Sequence, residues 1–143
     1  MKPFIMLVDD EIPFIETMTK RLSKRDFSVI SASSGADALT SLDENQKLDV
    51  VILDVKMPGM DGLETLQKIK QSFPLVEVIM LTGHATVESA IDGMKQGAFD
   101  YLMKPCDLDQ LTLKVNEATK KRRDHEEKIS NAKINEVLIK RGW

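Results

Sequence analysis

Carboxylates follow two apolar runs of this chain, and their positions could support phosphoryl chemistry. Asp9 and Asp10 come directly after Phe4–Val8, and Asp54 comes directly after Val50–Leu53. An aspartate carboxylate can act as a nucleophile towards phosphorus. Three carboxylates in one place would repel one another, and a hard divalent cation such as Mg²⁺ would relieve that repulsion through oxygen ligands. The residue types therefore predict a magnesium-dependent site with an aspartate nucleophile.

Two polar residues later in the chain supply groups that such a reaction needs. Thr82 follows the apolar run Val76–Leu81, and Lys104 follows Phe99–Met103. An ammonium and a hydroxyl would neutralise the charge on an incoming phosphoryl group. Pro105 comes next, and because X-Pro bonds adopt the cis form at modest cost, we predict a cis bond that aims the lysine.

The elements that position these residues alternate along the chain. Short apolar runs alternate with segments in which apolar residues recur at helical spacing, giving five strand-then-helix units in about 120 residues. This alternation predicts a doubly wound α/β fold, with helices on both faces of a five-stranded parallel sheet. The flavodoxin-like order 2-1-3-4-5 is the economical choice, since it places strands one and three side by side at the switch point. The predicted strands are Phe4–Val8, Phe27–Ser31, Val50–Leu53, Val76–Leu81 and Phe99–Met103.

Two features of the predicted helices matter for the site and for one face of the domain. Asp61 is more consistent with an N-cap of the third helix than with a metal ligand, because Glu64 follows three residues later. Four apolar residues recur at helical spacing and predict the apolar face of the fourth helix: Val87, Ala90, Ile91 and Met94.

Composition places limits on the class of protein. The chain has 143 residues, of which 42% are hydrophobic and 30% charged, as expected for a soluble globular domain. No apolar run is long enough to cross a bilayer and the first residues lack the pattern of a signal peptide, so we expect a cytoplasmic protein without membrane contact. The single cysteine, Cys106, excludes an internal disulfide and a cysteine-based zinc site.

Charge is distributed unevenly between the body and the end of the chain. The last 25 residues carry 8 Lys/Arg against 4 Asp/Glu, which leaves 12 against 19 in residues 1–118. The acidic body argues against direct nucleic-acid binding by residues 1–120. The basic run Lys120–Arg123 is interleaved with acids soon afterwards, so we predict a solvated helix face rather than a phosphate-contacting patch.

Four motifs together carry a family resemblance. They are Asp9-Asp10, Asp54–Gly62 with its Met-Pro-Gly-Met-Asp-Gly, Thr82–His84, and Tyr101–Pro105. In this order they resemble the receiver domain of two-component response regulators, over about residues 3–120. The motifs around Thr82 and Tyr101 are similar to those of enhancer-binding transcription activators.

The resemblance implies a role for each residue of the acidic group. Asp54 would be the phosphoacceptor. Asp10 and Asp54 would bind Mg²⁺ directly, together with the backbone carbonyl of Lys56, and Asp9 would act through a metal-bound water.

The resemblance also implies roles for the residues around the phosphoryl group. Lys104 would pair with it, Thr82 would be the switch hydroxyl that moves to meet it, and Tyr101 would be the aromatic switch residue that turns inward. The side chains of Lys56 and His84 lie where receivers vary, and we expect them to lengthen the lifetime of the acyl phosphate.

The implied function is a signalling switch rather than an enzyme with a released product. A sensor histidine kinase or a phosphotransfer protein would donate the phosphoryl group. The surface of the fourth helix, fifth strand and fifth helix would then change and regulate an output domain or a partner, with homodimerisation through that surface or the C-terminal extension as a further expectation. An aspartate-nucleophile phosphatase of the haloacid-dehalogenase type is the alternative, although such enzymes want a second acid where Lys56 stands.

The end of the chain allows several interpretations. We predict a receiver domain over residues 1–120 and a helical extension or linker over residues 121–143. Ser130-Asn131 could cap a separate short helix. A linker before an output domain, a dimerisation extension and a partner-docking helix all remain open, and the fluorescence of Trp143 would report whether the extension docks.

Overall fold

A computed structural model of the protein describes residues 1–142. Five strands alternate with five helices, as the apolar spacing predicts. The elements in chain order are β1 (Phe4–Val8), α1 (Ile12–Ser23), β2 (Ser28–Ala32), α2 (Gly35–Glu44), β3 (Val50–Leu53), α3 (Gly62–Ser72), β4 (Glu77–Thr82), α4 (Val87–Lys95), β5 (Asp100–Met103) and α5 (Leu108–Lys140). No helix within residues 1–142 combines the length and the apolar character needed to cross a membrane.

The five strands form one parallel sheet in the order β2-β1-β3-β4-β5, which confirms the predicted topology. Val8 is paired with Leu53, so the residues that follow β1 and β3 leave the sheet side by side. β2 and β4 begin and end one residue later than predicted, and Thr82 is therefore the last residue of β4 rather than the residue after it.

The hydrophobic core lies in two layers, one on each face of the sheet. All four residues of β3 are buried, which explains their continuous apolar run without polar alternation. One layer contains Leu66 and Ile69 of α3, and the other contains Leu111 and Val115 of α5. The strand that ends at Asp54 is thus held from both sides.

The predicted apolar face of α4 is largely uncovered. Val87, Ile91 and Met94 are 77%, 49% and 47% exposed, so most of the predicted face is turned to solvent. Gly93 is the buried residue of α4, and the ring of Tyr101 lies against it. Helical spacing alone shows that these side chains share a face, but it does not show that the face is covered.

Helix α5 is continuous over 33 residues, from Leu108 to Lys140. The separate short helix that Ser130-Asn131 could have capped is therefore absent from the described residues, since both lie inside α5. Beyond the body of the domain, residues 125–142 are exposed.

The basic run Lys120–Arg123 of α5 is not the solvated helix face that the sequence predicts. Arg122 is 8% exposed, and its Nη1 lies 3.4 Å from Oδ1 of the fully buried Asp49. Arg123 contacts the same carboxylate from Nη2 at 2.9 Å and from Nε at 3.1 Å. Of this run, Lys120 behaves as predicted, with an exposed pair to Asp124.

A second buried acid, Glu77, lies beside Asp49 at the amino end of the sheet. Glu77, the first residue of β4, is 3% exposed and has Lys70 at 3.5 Å and Lys121 at 3.3 Å. We refer to the six residues as the base cluster: Asp49, Lys70, Glu77, Lys121, Arg122 and Arg123. The sequence prediction failed here because the partners are far apart in the chain and meet only when α5 packs on the sheet.

Candidate functional site

Asp54 lies in a cleft at the carboxyl edge of the sheet and is only 2% exposed. Its Oδ1 accepts a hydrogen bond from the Val55 amide at 2.7 Å. The loop that carries it folds back on the start of α3, where the Gly62 amide donates to the Val55 carbonyl at 2.7 Å. A Cβ at Gly62 would lie 2.0 Å from the Asp54 carbonyl oxygen, so this close approach requires glycine.

Lys104 reaches across the cleft from the end of β5. Its Nζ lies 2.6 Å from Asp9 Oδ2, 3.6 Å from Glu11 Oε1 and 3.9 Å from Asp54 Oδ2. The backbone amide of Lys104 donates to the carbonyl of Thr82 at 2.9 Å, which fixes the start of the side chain. The Lys104–Pro105 bond is cis, as predicted.

The environment of Asp54 changes its protonation. Burial raises the pKa of the Asp54 carboxyl, and the nearby Asp9 charge raises it further. A hydrogen bond from the Thr82 hydroxyl and the charge of Lys104 act in the opposite direction, but the pKa remains above its ordinary value. Burial and the Asp9 charge thus disfavour the ionised carboxylate more than its partners favour it.

Thr82, the last residue of β4, lies beside the carboxylate of Asp54. Its side chain is fully buried, and its Oγ1 accepts a hydrogen bond from the His84 amide at 3.0 Å. His84 and Lys56 are exposed residues that line the same cleft. Their side chains are therefore at the mouth of the site and not in its interior.

The carboxylates that could hold a metal ion differ in part from the expected set. One oxygen from each of Asp9, Glu11 and Asp54 lies within 4.8 Å of the others. Asp10 is exposed and lines the cleft without joining this group. Glu11 was missed in the sequence prediction, although its place directly after the acidic pair could have suggested it. Oxygen donors of this kind, facing one ammonium, fit a hard divalent cation such as Mg²⁺.

Tyr101 lies outside the cleft, on the side of α4. Its side chain is half-buried, and its hydroxyl is 2.7 Å from Ser89 Oγ. The ring packs beside Gly93, with Cδ2 3.4 Å from the position that a Cβ there would occupy. β5 thus carries Tyr101 towards α4 and Lys104 towards the acidic cleft.

Comparison with known proteins agrees with this geometry. The family model described as "Response regulator receiver domain" matches residues 5–116. The transcriptional regulatory protein ZraR of Escherichia coli K12 is 39% identical over 114 residues, which cover 80% of this chain and 26% of that protein. The DNA-binding transcriptional regulator NtrC of the same organism is 36% identical over 114 residues, covering 80% and 24%. The chain thus spans about a quarter of the length of these relatives.

A solved structure shares both fold and sequence. The response regulator receiver domain protein from Clostridium thermocellum superposes with a TM-score of 0.80 and 37% identity, covering 85% of this chain and 97% of that one. The family match, the sequence identities and the shared fold support one assignment. This chain belongs to the response regulator receiver domain family of two-component signalling, in which acceptance of a phosphoryl group is general.

Proposed function

We propose that Asp54 is the phosphoacceptor of a signalling switch. The observation that carries this proposal is the position of Asp54, buried at the carboxyl end of β3 with Asp9 and the Lys104 ammonium within the same cleft. An oxygen of its carboxylate would attack the phosphorus of a phosphohistidine on a sensor kinase or a phosphotransfer protein. The P–N bond would break, and the leaving imidazole would keep the electron pair and take up a proton. Because phosphorylated Asp54 is the end state of the transfer, the chain would act as a switch and not as an enzyme with a released product.

Mg²⁺ would be held by Asp10, Asp54 and the backbone carbonyl of Lys56, with Asp9 acting through water. The proximity of Glu11 to Asp9 and Asp54 adds a further oxygen donor to the same group. When bound, the cation supplies charge neutralisation for the carboxylates and for the phosphoryl oxygens. Asp10 is exposed at the mouth of the cleft, from which its side chain could approach a cation.

Lys104 and Thr82 would stabilise the phosphoryl group once it is attached. The ammonium is shared between Asp9 and Asp54 and could move from the first to the new oxygens, because phosphorylation adds about −1.5 to −2 charge at that point. The Thr82 hydroxyl already lies beside Asp54. At the cleft mouth, Lys56 and His84 would shield the acyl phosphate from water and lengthen its lifetime.

Tyr101 would connect the cleft to the surface of α4, β5 and α5. Movement of Thr82 towards the phosphoryl group would leave space for the Tyr101 ring. The ring would then turn to a more buried position, and its hydroxyl would lose the hydrogen bond with Ser89. The exposed apolar residues of α4 support a role for this surface in binding an output domain, a partner or a second copy of the chain. The cytoplasm, where such kinases present their phosphohistidine, is the proposed location.

One experiment tests the proposal directly. Incubation with acetyl phosphate and Mg²⁺ should add a single phosphoryl mass to the wild-type chain and none to Asp54→Asn, and chelation of the metal should prevent the addition. Asp61→Asn is a matched control, because Asp61 lines the cleft but caps α3 through the Glu64 amide. Mass addition to Asp54→Asn would refute the assignment, and sustained turnover of a phosphate ester would favour a phosphatase of the haloacid-dehalogenase type instead.

A further inference from the structure

An aromatic ring lies directly against the ammonium of Lys104. Phe14 lies in the first turn of α1, and Nζ of Lys104 is 3.8 Å from the centroid of its ring. A cation over an aromatic face at less than about 6 Å is attracted by the quadrupole of the ring. The position of Phe14 is well defined, since the next residue, Ile15, is 7% exposed and anchors the helix in the core.

We propose that Phe14 is a positioning residue that holds Lys104 in place for the phosphoryl group on Asp54. This inference rests on the proposed function, because it concerns the group that would receive the phosphoryl oxygens. It assigns a role to an aromatic residue that the motifs of the sequence do not include.

The carboxylates alone do not bring Lys104 close to Asp54. The ammonium is 2.6 Å from Asp9 but 3.9 Å from Asp54, so the closer ion pair draws it towards β1. The ring of Phe14 provides a further contact to the ammonium, and the lysine side chain is only 16% exposed. This contact favours the buried position of the lysine over one extended into water.

The same contact would persist while the lysine moves. Attraction to a ring face varies gradually with the position of the cation, whereas a hydrogen bond to a carboxylate is lost over about 1 Å. Lys104 could therefore shift from Asp9 towards phosphoryl oxygens without first losing its contact with Phe14. A branched aliphatic side chain would fill space at this position but would lack the quadrupole.

The chain offers a matched control in Phe99. Phe14 and Phe99 are both half-buried, and both pack against the core layer that contains Leu111. Phe99 lies just before β5, at the opposite edge of the sheet, and Nζ of Lys121 of the base cluster is 5.7 Å from the centroid of its ring. Substitution of Phe99 should reproduce the packing cost without affecting Lys104.

The test combines substitution with graded fluorination. Phe14→Leu, Phe14→Tyr, Phe99→Leu and phenylalanines with one, two or three ring fluorines, placed at either position, would be compared in the full chain. The readouts are the rate of phosphorylation by acetyl phosphate with Mg²⁺, the affinity for beryllofluoride as a phosphoryl analogue, and the urea midpoint. Fluorine withdraws charge from the ring face with little change in shape.

We expect Phe14→Leu to lower the rate and the beryllofluoride affinity by roughly fivefold, while Phe14→Tyr stays within about twofold of wild type. Stepwise fluorination at position 14 should lower both quantities progressively at an unchanged urea midpoint, and fluorination at position 99 should change neither. A flat fluorination series at position 14, or equal losses for Phe14→Leu and Phe99→Leu, would overturn the inference. Absence of any mass addition to the wild type would instead refute the proposed function.

Discussion

Buried acids lie at both ends of the central strands, but their charged partners differ. At the amino ends of β3 and β4, the carboxylates of Asp49 and Glu77 are contacted by two arginines and two lysines. At the carboxyl ends of β1 and β3, the buried Asp9 and Asp54 and the exposed Glu11 share the ammonium of Lys104. Burial is similar, since Asp49 is 0% and Asp54 2% exposed. The two ends differ in the number of cationic side chains that contact each acid: two for Asp49 and two for Glu77, but one shared lysine for Asp54.

This contrast separates a structural site from the candidate functional one. The buried carboxylate of Asp49 is saturated, because it also accepts a hydrogen bond from the Phe4 amide at 2.9 Å. The carboxylate of Asp54 keeps a raised pKa and opens to a cleft that a cation could enter. Perturbed protonation in an accessible cleft is typical of reactive groups, whereas full pairing fixes a helix in place. For α5, that pairing extends the docked part of the helix to Arg123.

The largest effect should come from removing the central acid of the base cluster. Asp49→Ala removes the buried carboxylate that Arg122 and Arg123 share and the acceptor of the Phe4 amide, so the free energy of unfolding should fall by about 2 kcal/mol, although Arg122 keeps Glu126 at 2.7 Å. Urea denaturation measures this. As a control, Asp43→Ala at an exposed position should change the free energy of unfolding by no more than about 0.5 kcal/mol. Equal stabilities of the two variants would show that the base cluster does not hold α5.

Substitution of Asp54, at the other end of β3, should stabilise the fold rather than destabilise it. The folded-state pKa of Asp54 lies above its ordinary value of 3.8, so its contribution to stability is fully present below pH 3.8 and is lost as the pH rises through the folded pKa. Asp54→Asn should therefore raise the free energy of unfolding by about 1 kcal/mol at neutral pH without metal, with no gain near pH 3.8.

Saturating Mg²⁺ provides the control for this prediction. Because the cation favours the ionised carboxylate, it should stabilise the wild type more than Asp54→Asn and reduce or cancel the advantage of the variant. Urea midpoints measured with and without metal across this pH range give the comparison. A variant less stable than wild type in metal-free neutral buffer would contradict the view that the cleft is under-neutralised.

The smallest change in the free energy of unfolding should distinguish the adjacent Lys120 and Lys121. Lys121 contacts the buried Glu77 at 3.3 Å, so Lys121→Ala should lower the free energy of unfolding by about 0.5 kcal/mol, a modest loss because the lysine is half exposed and Lys70 remains. Within residues 1–142, Lys120 pairs with Asp124, a solvated acid on its own helix, and Lys120→Ala should leave the urea midpoint unchanged. Identical midpoints for both variants would place Lys121 on the solvated face after all.

Much of the fold and part of the site could be predicted from the order of residue types. The apolar runs and helical spacings gave the five units, and parallel strands necessarily bring Asp9 and Asp54 to one edge. Predictions were weaker for surfaces, because periodicity identifies the residues that share a helix face and not what covers it. The exposed apolar residues of α4 and the paired arginines of α5 are the two examples.

The sequence by itself determined the strand-end chemistry: which acids, hydroxyl and ammonium follow which strands, and hence that they converge. The tertiary structure alone decided the distances among them, including the proximity of Glu11 to Asp54 and the ring of Phe14 against Lys104. It also decided that Asp49 is paired with two arginines, whereas Asp54 has the ammonium of Lys104 at 3.9 Å. The physical reason is that the charge balance of a buried group depends on partners from distant segments, and only packing brings those partners within a few ångströms.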